Sequence, residues 1–429
     1  MRKLILSLAL ALLATPGMAA TVAIVGGKVH TVGPQGTIDN GTVLIVNGRI
    51  AAVGADVDVP AGAETIDATG KVVTPGLFSP QSQLGLVEVG MSAGPTDYSQ
   101  RGDRYTAGFD VADAYNRRST LIAVNRIEGV TRAVIAPSPA YPDANGSGHV
   151  IAGLAAIVNL GDDNVLDRRG SAMVVSLGQS GSTYAGGTRT AAWLTLRNAL
   201  DEALDYREHR GDFERGMRRE YVHSVADLEA LQGVVNGNTP VIASIDRAAD
   251  IEVLIRIVNE YSLKAIISGG AEAWMLADEL AAAGIAVIVD PLANLPGDFD
   301  KLNARFGAAS ILVDAGVKVA VGDSSMNRSH IAGNLTQAAG NAVAHGLDWS
   351  AALRAITLSP AEIFGVADSV GSLEAGKAAD VVIWPGDPLE LTNFPDQVFI
   401  NGEKIPMVSR QTLLRDRYLQ SNGPPAYRN

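Results

Sequence analysis

Short apolar runs alternate with helical patterns along the middle of this chain. The spacing of hydrophobic positions predicts strands at 132–136, 154–159, 173–177, 241–244, 265–268, 286–290 and 317–321. It predicts helices at 120–128, 191–206, 224–235, 248–261, 272–283, 337–344 and 351–358. Strands separated by helices indicate a parallel sheet. Their repetition over residues 74–365 favours a closed (β/α)8 barrel of the TIM type over an open sheet.

The two ends of the chain have a different pattern, with β-branched runs and turn signals. Near the amino terminus, Asn47-Gly48 between two such runs is a strong signal for a two-residue hairpin. Near the other end, an apolar run precedes Asn401-Gly402, which is a second signal of this kind. Neither set of strands is large enough to form a core alone. The sequence therefore predicts one small β-sandwich made of residues 20–73 and 366–415. The α/β barrel is inserted into it, and a tail follows at 416–429.

Residues 1–19 have the pattern of a secretory signal peptide. Two basic residues precede an apolar run at 4–13, which is too short to span a bilayer. Small residues at Gly17 and Ala19 suit a cleavage site. We therefore expect the signal peptide to be cleaved, leaving a bacterial protein that is periplasmic or secreted and has no membrane partner.

Composition and charge narrow the classes of partner and chemistry. Of the 429 residues, 47% are hydrophobic and 19% are charged, as in folded globular proteins. The formal net charge of -12 argues against a nucleic-acid partner. Because the chain has no cysteine, disulfides, thiolate nucleophiles and cysteine-ligated zinc are excluded. The expected partner is a small-molecule ligand.

The segment at 74–90 leads into the first barrel strand and carries polar side chains near the strand's end. Gln81 and Gln83 are two residues apart, so a strand would place both on one face. Barrel enzymes carry their functional groups at this end of the strands. The insert at 92–108 is polar and aromatic, and two interpretations stay open: it overhangs the mouth of the barrel, or it is an irregular surface loop.

Three passages carry a likeness to a known family. They are 71–77 before the first strand, 317–324 around the last strand, and 355–365 with 371–382 after the barrel. On these passages the chain resembles the amidohydrolase superfamily, and looks closest to its imidazolonepropionase-like branch. The resemblance implies a (β/α)8 barrel with a split β-sandwich, zinc as the family cofactor, and hydrolysis of C–N bonds other than peptide bonds.

The positions that the resemblance assigns to metal ligands hold other residues in this chain. Gln81 and Gln83 replace two histidines of the first strand, and Ser244 replaces the histidine of the fifth. The histidine of the sixth strand falls at about Gly269, to within one residue. The aspartate of the eighth strand is kept, as Asp323. Because zinc prefers imidazole to a neutral amide oxygen, we expect a degenerate metal site and no bound cofactor.

The candidate site residues follow from this interpretation. Asp323 is the candidate catalytic base. His330 and Arg328 lie in the segment that follows it; either they face the mouth, or they are an ordinary loop histidine and a surface ion pair. Substrate-binding roles are predicted for five polar side chains: Gln81, Gln83, Ser244, Arg328 and His330.

Three functions are consistent with these residues. The first is a secreted amidohydrolase-like protein that binds a small molecule with weak or no hydrolysis. The second is an active hydrolase of amides, cyclic amides or dipeptide-like substrates, which uses Asp323 with or without an atypical metal. The third is a non-catalytic partner subunit of an active relative. A homo-oligomer is an expectation from the family resemblance only.

Overall fold

The computed structural model describes residues 21–89, 96–100, 105–140, 148–162, 165–293, 295–322 and 332–419. The predicted signal peptide at 1–19 lies outside these residues. Among the helices of the described residues, none is both long enough and apolar enough to cross a bilayer.

Sixteen strands of the described residues are distributed over two sheets. The strands are β1 (Thr21–His30), β2 (Thr37–Val46), β3 (Arg49–Gly54), β4 (Glu64–Asp67), β5 (Val72–Pro75), β6 (Leu77–Ser82), β7 (Val130–Ile135), β8 (Ile151–Asn159), β9 (Leu166–Ser176), β10 (Val241–Ile245), β11 (Ala265–Gly269), β12 (Ala286–Val289), β13 (Val319–Val321), β14 (Val381–Trp384), β15 (Gln397–Ile400) and β16 (Glu403–Lys404). The helices are α1 (Thr120–Arg126), α2 (Gly178–Tyr184), α3 (Arg189–Glu214), α4 (Val225–Val235), α5 (Ala248–Tyr261), α6 (Ala277–Ala282), α7 (Ala308–Asp314), α8 (Leu335–Ala344), α9 (Trp349–Ala355), α10 (Leu358–Ile363) and α11 (Arg410–Leu419).

The first sheet is built from both ends of the chain, as predicted. Its strand order is β16-β15-β14-β5-β1-β2-β3, with β4 pairing with β1. The two ends meet where β14 runs antiparallel to β5. Both predicted hairpins are present, because Asn47 and Asn401 adopt positive φ angles of 52° and 51° and each is followed by a glycine. Helix α11 follows this sheet and spans residue 415, where the sequence predicted the sandwich to end.

The second sheet has eight strands in the order β13-β12-β11-β10-β9-β8-β7-β6 and forms a nearly closed barrel. Its two edges approach each other where Gly322 follows β13. A Cβ atom on that glycine would lie 3.1 Å from Pro80 Cγ in β6, so a side chain at Gly322 would press on the opposite edge. The predicted barrel fold is therefore confirmed.

One strand departs from the predicted parallel sheet. Strand β8 runs antiparallel to both β7 and β9. The segment between β8 and β9 covers only residues 160–165, which is too short for the crossover that parallel neighbours require. The expectation of strands that are all separated by helices is wrong at this point for that reason.

The inside of the barrel is apolar, and one end of it is covered by the chain that leaves it. Inward-facing side chains from all eight strands form a single cluster with Ala361 of α10 and with Phe364 and Val370 beyond it. The Phe364 carbonyl accepts a hydrogen bond from the Arg168 side chain, near the start of β9. The covered end is thus the amino-terminal end of the strands, and the opposite end is the mouth.

Buried charges connect the barrel to the first sheet at this covered end. Arg132 of β7 is 4% exposed. Its Nε donates to Asp380 Oδ2 at 2.7 Å, and its NH2 group donates to Asn401 Oδ1 at 2.5 Å. Its NH1 group pairs with Asp167 of β9. The guanidinium therefore joins two barrel strands to the residues on either side of β14 and β15.

A charged stretch at 201–221 belongs mainly to α3 and contributes to its exposed face. Within it, Glu202 accepts hydrogen bonds from the backbone N–H groups of Val222 and His223 at 2.9 and 3.0 Å. The His223 side chain approaches the same carboxylate at 2.8 Å. Burial acts to raise the pKa of Glu202, but these hydrogen bonds outweigh it and hold the pKa below its ordinary value of 4.5.

We expect this carboxylate to make stability depend on pH. Because the pKa of Glu202 is lower in the folded state, its stabilisation is present above pH 4.5 and is lost as the pH falls through the folded-state pKa. Replacing Glu202→Gln should cost about 1 kcal/mol at neutral pH and less in acid. Urea denaturation at several pH values measures this. Glu208→Gln, an exposed change on the same helix, is the control and should show no such trend.

Candidate functional site

Three serines form a row at the mouth of the barrel. Ser176 is the last residue of β9, Ser244 and Ser268 are the penultimate residues of β10 and β11, and strand pairing sets each serine directly beside the next. Side chains alternate along a strand, so the serines point the same way as the residues two positions earlier. Those residues belong to the apolar cluster inside the barrel: Val174, Ile242 and Ile266. The three hydroxyl groups therefore face the interior.

Gln81 completes this row from the first barrel strand. It is 3% exposed, and its Oε1 accepts a hydrogen bond of 2.6 Å from Ser268 Oγ. Phe78 is inward-facing, so strict alternation would turn Gln81 outward. A shift in register between Ser79 and Ser82 changes the alternation and lets Gln81 turn into the mouth.

Within the described residues, the other end of the Gln81 amide has no partner. Its Nε2 is buried and forms no hydrogen bond with any of them. A buried N–H group without a partner costs roughly 1–3 kcal/mol. If the amide is turned over, the oxygen takes this place, so in either orientation one polar atom of Gln81 is unpaired. Such an atom beside three inward-facing hydroxyls is typical of a binding site rather than of a packed core.

Gln83 lies just beyond the end of the strand and turns to a different neighbour. Its Nε2 donates to Ser138 Oγ at 3.0 Å. The backbone N–H of Ser138 donates to the Tyr98 carbonyl at 2.8 Å, which ties the insert at 92–108 to this side of the mouth. Residues 105–108 of the insert are anchored elsewhere, on Asp227 of α4. The two glutamines therefore do not act as one pair on a shared strand face.

Of the two residues around the predicted sixth-strand position, Ser268 continues the serine row and Gly269 does not. Ser268 pairs with Ser244 and bonds to Gln81, whereas Gly269 pairs with Ile245. Gly269 has a φ of 102°, and a Cβ there would lie 2.6 Å from Asp246 Oδ1. A histidine at Gly269 would be strained and would not continue the serine row.

The described side chains at the mouth are weak ligands for the zinc ion that the family resemblance implies. Gln81 and the serines offer neutral amide and hydroxyl groups, which are weak ligands for zinc. The Gln81 oxygen is already taken up by Ser268. Across the described part of the chain, no three His, Cys, Asp or Glu side chains come together in a way that could hold a metal. No reaction step at this site is therefore derived through a metal.

Three of the predicted site residues cannot be placed. Asp323, Arg328 and His330 lie outside the described residues, so their roles stay predictions. Ser176 and Ser268 were not among the predicted site residues, although both stand at the ends of predicted strands. The signal that could have identified them is a serine two positions after an inward-facing apolar residue on neighbouring parallel strands.

The family profile of the amidohydrolases, described as "Amidohydrolase family", matches residues 180–405, which is more than half of the chain. The chain belongs to the amidohydrolase family. Its fold agrees with that of an amidohydrolase from Thermotoga maritima, with a TM-score of 0.79 and 24% identity over 90% of this chain and 99% of that one. The predicted superfamily is thereby confirmed.

Individual relatives of this amidohydrolase are distant. It is 25% identical over 400 residues to amidohydrolase tasK of Hapsidospora irregularis, and the match covers 84% of this chain but 39% of tasK. It is 52% identical over 56 residues to the imidazolonepropionase of Geobacillus kaustophilus, covering 11% of this chain and 13% of that enzyme. The chain thus spans well under half of tasK, and the likeness to imidazolonepropionase is confined to a short segment.

Proposed function

We propose that this amidohydrolase-family protein binds a small polar molecule at the barrel mouth and has weak or no hydrolytic activity there. The observation that carries the proposal is the Gln81–Ser268 hydrogen bond, with the second polar atom of the Gln81 amide buried and without a partner among the described residues. A carbonyl or carboxylate oxygen on a ligand would satisfy the Nε2 group and add partners for the serine hydroxyls.

Weak hydrolysis follows from the chemistry of these side chains. Attack on an amide at neutral pH needs a hydroxide, which a metal ion supplies by lowering the pKa of bound water, or a base that removes the proton. Gln81 and the three serines are neutral, and none of them is a base of suitable pKa. They can orient a ligand through hydrogen bonds but cannot generate the nucleophile. The predicted periplasmic or secreted location is part of the proposal.

Metal analysis and binding together test this function. We expect protein purified without chelators to contain far less than one zinc ion per chain, and N-acetyl-L-alanine, L-alanyl-L-alanine and hydantoin to show no turnover above background. Thermal-shift and calorimetric screens of the same compounds should find saturable binding. Gln81→Leu removes the amide and should weaken that binding about tenfold. Thr183→Val, on the exposed side of α2, is the control and should leave it unchanged.

Two results would replace this function with another. Turnover that is abolished by Asp323→Asn would establish an active C–N hydrolase, the alternative that family membership favours. Co-purification with an active amidohydrolase chain would establish a partner subunit.

A further inference from the structure

A cleft lies beside the serine row, at the carboxyl ends of β10, β11 and β12. Its volume is about 430 Å³, including the part open to solvent. Asp246 follows Ser244 by two residues, so the cleft borders the mouth. Charged groups line one part of it: Asp246, Asp290 and Lys301. Apolar side chains line another part: Val289, Pro291, Ala293, Ala308 and Ala309.

Lys301 and Asp246 face each other across the cleft without forming a close hydrogen bond. Lys301 Nζ lies 3.5 Å from Asp246 Oδ2 and 3.7 Å from Asp298 Oδ2. Charge-assisted hydrogen bonds are shorter, at about 2.7–2.9 Å. The two side chains are only 26% and 23% exposed, so water screens them weakly. Burial raises the pKa of Asp246, against the opposing effect of Lys301. Lys301 and Asp246 are close enough to attract each other, and each can still form a shorter hydrogen bond with a ligand.

The positions of both charges are fixed by their surroundings. Asp246 Oδ1 accepts from the Ala271 N–H at 3.1 Å, and the missing side chain of Gly269 leaves room for this carboxylate. The turn that carries Lys301 is held through its neighbour Asp300. That buried carboxylate accepts hydrogen bonds from Arg189 at 2.5 Å and from the Gln179 N–H at 3.0 Å. The cleft is therefore preorganised rather than formed by two mobile side chains.

We propose that this cleft binds the zwitterion of a small apolar α-amino acid. The ligand's carboxylate lies at Lys301, its ammonium group lies at the Asp246 carboxylate, and its side chain contacts Val289 and Ala309. This assignment rests on the binding function proposed above and names its ligand class.

The charges in the cleft favour a zwitterion over other small ligands. Lys301 offers a cationic group and Asp246 an anionic one, so a simple anion or a simple cation would pair with only one of them. An α-amino acid carries its ammonium and carboxylate groups on one carbon atom, which matches the short spacing between Asp246 and Lys301. The apolar wall suits an apolar side chain.

Calorimetric titration of the full-length protein tests the proposal with four probes: glycine, L-alanine, L-valine and L-proline. We expect saturable binding of at least one, with an apolar side chain improving affinity over glycine. Isobutylamine lacks the carboxylate and isobutyrate lacks the ammonium group, and each should bind about 10- to 100-fold more weakly than L-valine. Lys301→Met and Asp246→Asn should each weaken L-valine binding by a similar factor.

Matched variants separate the cleft from the mouth. Lys318→Met changes an exposed lysine at the opposite end of the barrel and should leave binding unchanged. Lys301→Met should also remove the advantage of L-valine over isobutylamine, which a loss of folding would not do. Thermal unfolding of each variant shows that the protein is folded.

The outcomes distinguish this assignment from the function on which it rests. Failure of all four amino acids to bind, or binding that Lys301→Met leaves unchanged, overturns the amino-acid site. If Gln81→Leu abolishes L-valine binding while Lys301→Met does not, the ligand lies in the mouth, so the proposed function stands and the cleft assignment falls. Stoichiometric zinc together with turnover overturns the proposed function, whereas the Lys301 and Asp246 results still decide whether the cleft is occupied.

Discussion

Replacing Arg132→Met should lower the free energy of unfolding by roughly 3–5 kcal/mol, the typical cost of removing one partner from a buried ion pair. The substitution keeps most of the side chain's apolar volume, so little of the loss comes from a cavity. It leaves the Asp380 and Asp167 carboxylates without the cation that both of them contact. Because these groups belong to different sheets, the loss falls on the contact between barrel and first sheet. Guanidinium denaturation, monitored by tryptophan fluorescence, measures it.

An exposed arginine provides the matched control. Arg169 also pairs with two carboxylates, those of Asp110 and Asp113, but its side chain is 48% exposed. Arg169→Met should therefore cost at most about 1 kcal/mol. In a double variant with Asp380→Asn, the Arg132→Met change should cost less than it does alone, since one uncompensated charge is gone. Strictly additive losses would show that the charges are not coupled and that the effect has another origin.

The barrel could be predicted from the sequence because each of its elements has a recognisable pattern in its own stretch of sequence. Helix α5 carries an apolar stripe between turn signals, and its predicted bounds at 248–261 are those observed. The two Asn-Gly hairpins are equally local, since two adjacent residues determine the turn. The direction of β8, in contrast, has no signal in the sequence of the strand itself. It depends on the length of a connection that carries no hydrophobic pattern of its own.

The candidate site was predicted only in part, because its contacts depend on backbone irregularities and on distant residues. Gln81 turns inward through a register shift that strict alternation does not contain. Ser268, its partner, is 187 positions away in the chain. The Asp246–Lys301 pair likewise combines a strand end with a turn in a long connection. The sequence shows which residue types stand at these positions, but it does not show the distances between them.

Restoring four histidines should give the mouth a strong affinity for zinc. The changes are Gln81→His, Gln83→His, Ser244→His and Ser268→His, because Ser244 and Ser268 are paired neighbours and Gln81 reaches Ser268. Structural zinc sites in zinc-finger peptides bind with about 10–16 kcal/mol, and a site without optimised supporting hydrogen bonds loses some 10- to 100-fold. We therefore expect a dissociation constant on the order of micromolar or tighter. Competition with a chromogenic chelator measures it.

The position of the sixth-strand ligand decides whether the alignment of this site is right. A second variant carries Gly269→His in place of Ser268→His. At Gly269 the backbone has a φ of 102° and a Cβ would collide with Asp246, so this variant should bind zinc more weakly and unfold at a lower temperature. Affinity in the Ser268 variant should also fall below about pH 6.5, where imidazoles become protonated. The family's sixth-strand ligand is a single inward-facing histidine, so only one of these two residues can correspond to it. If the Gly269 variant binds zinc as tightly as the Ser268 variant, the serine row does not correspond to the family's metal-ligand positions.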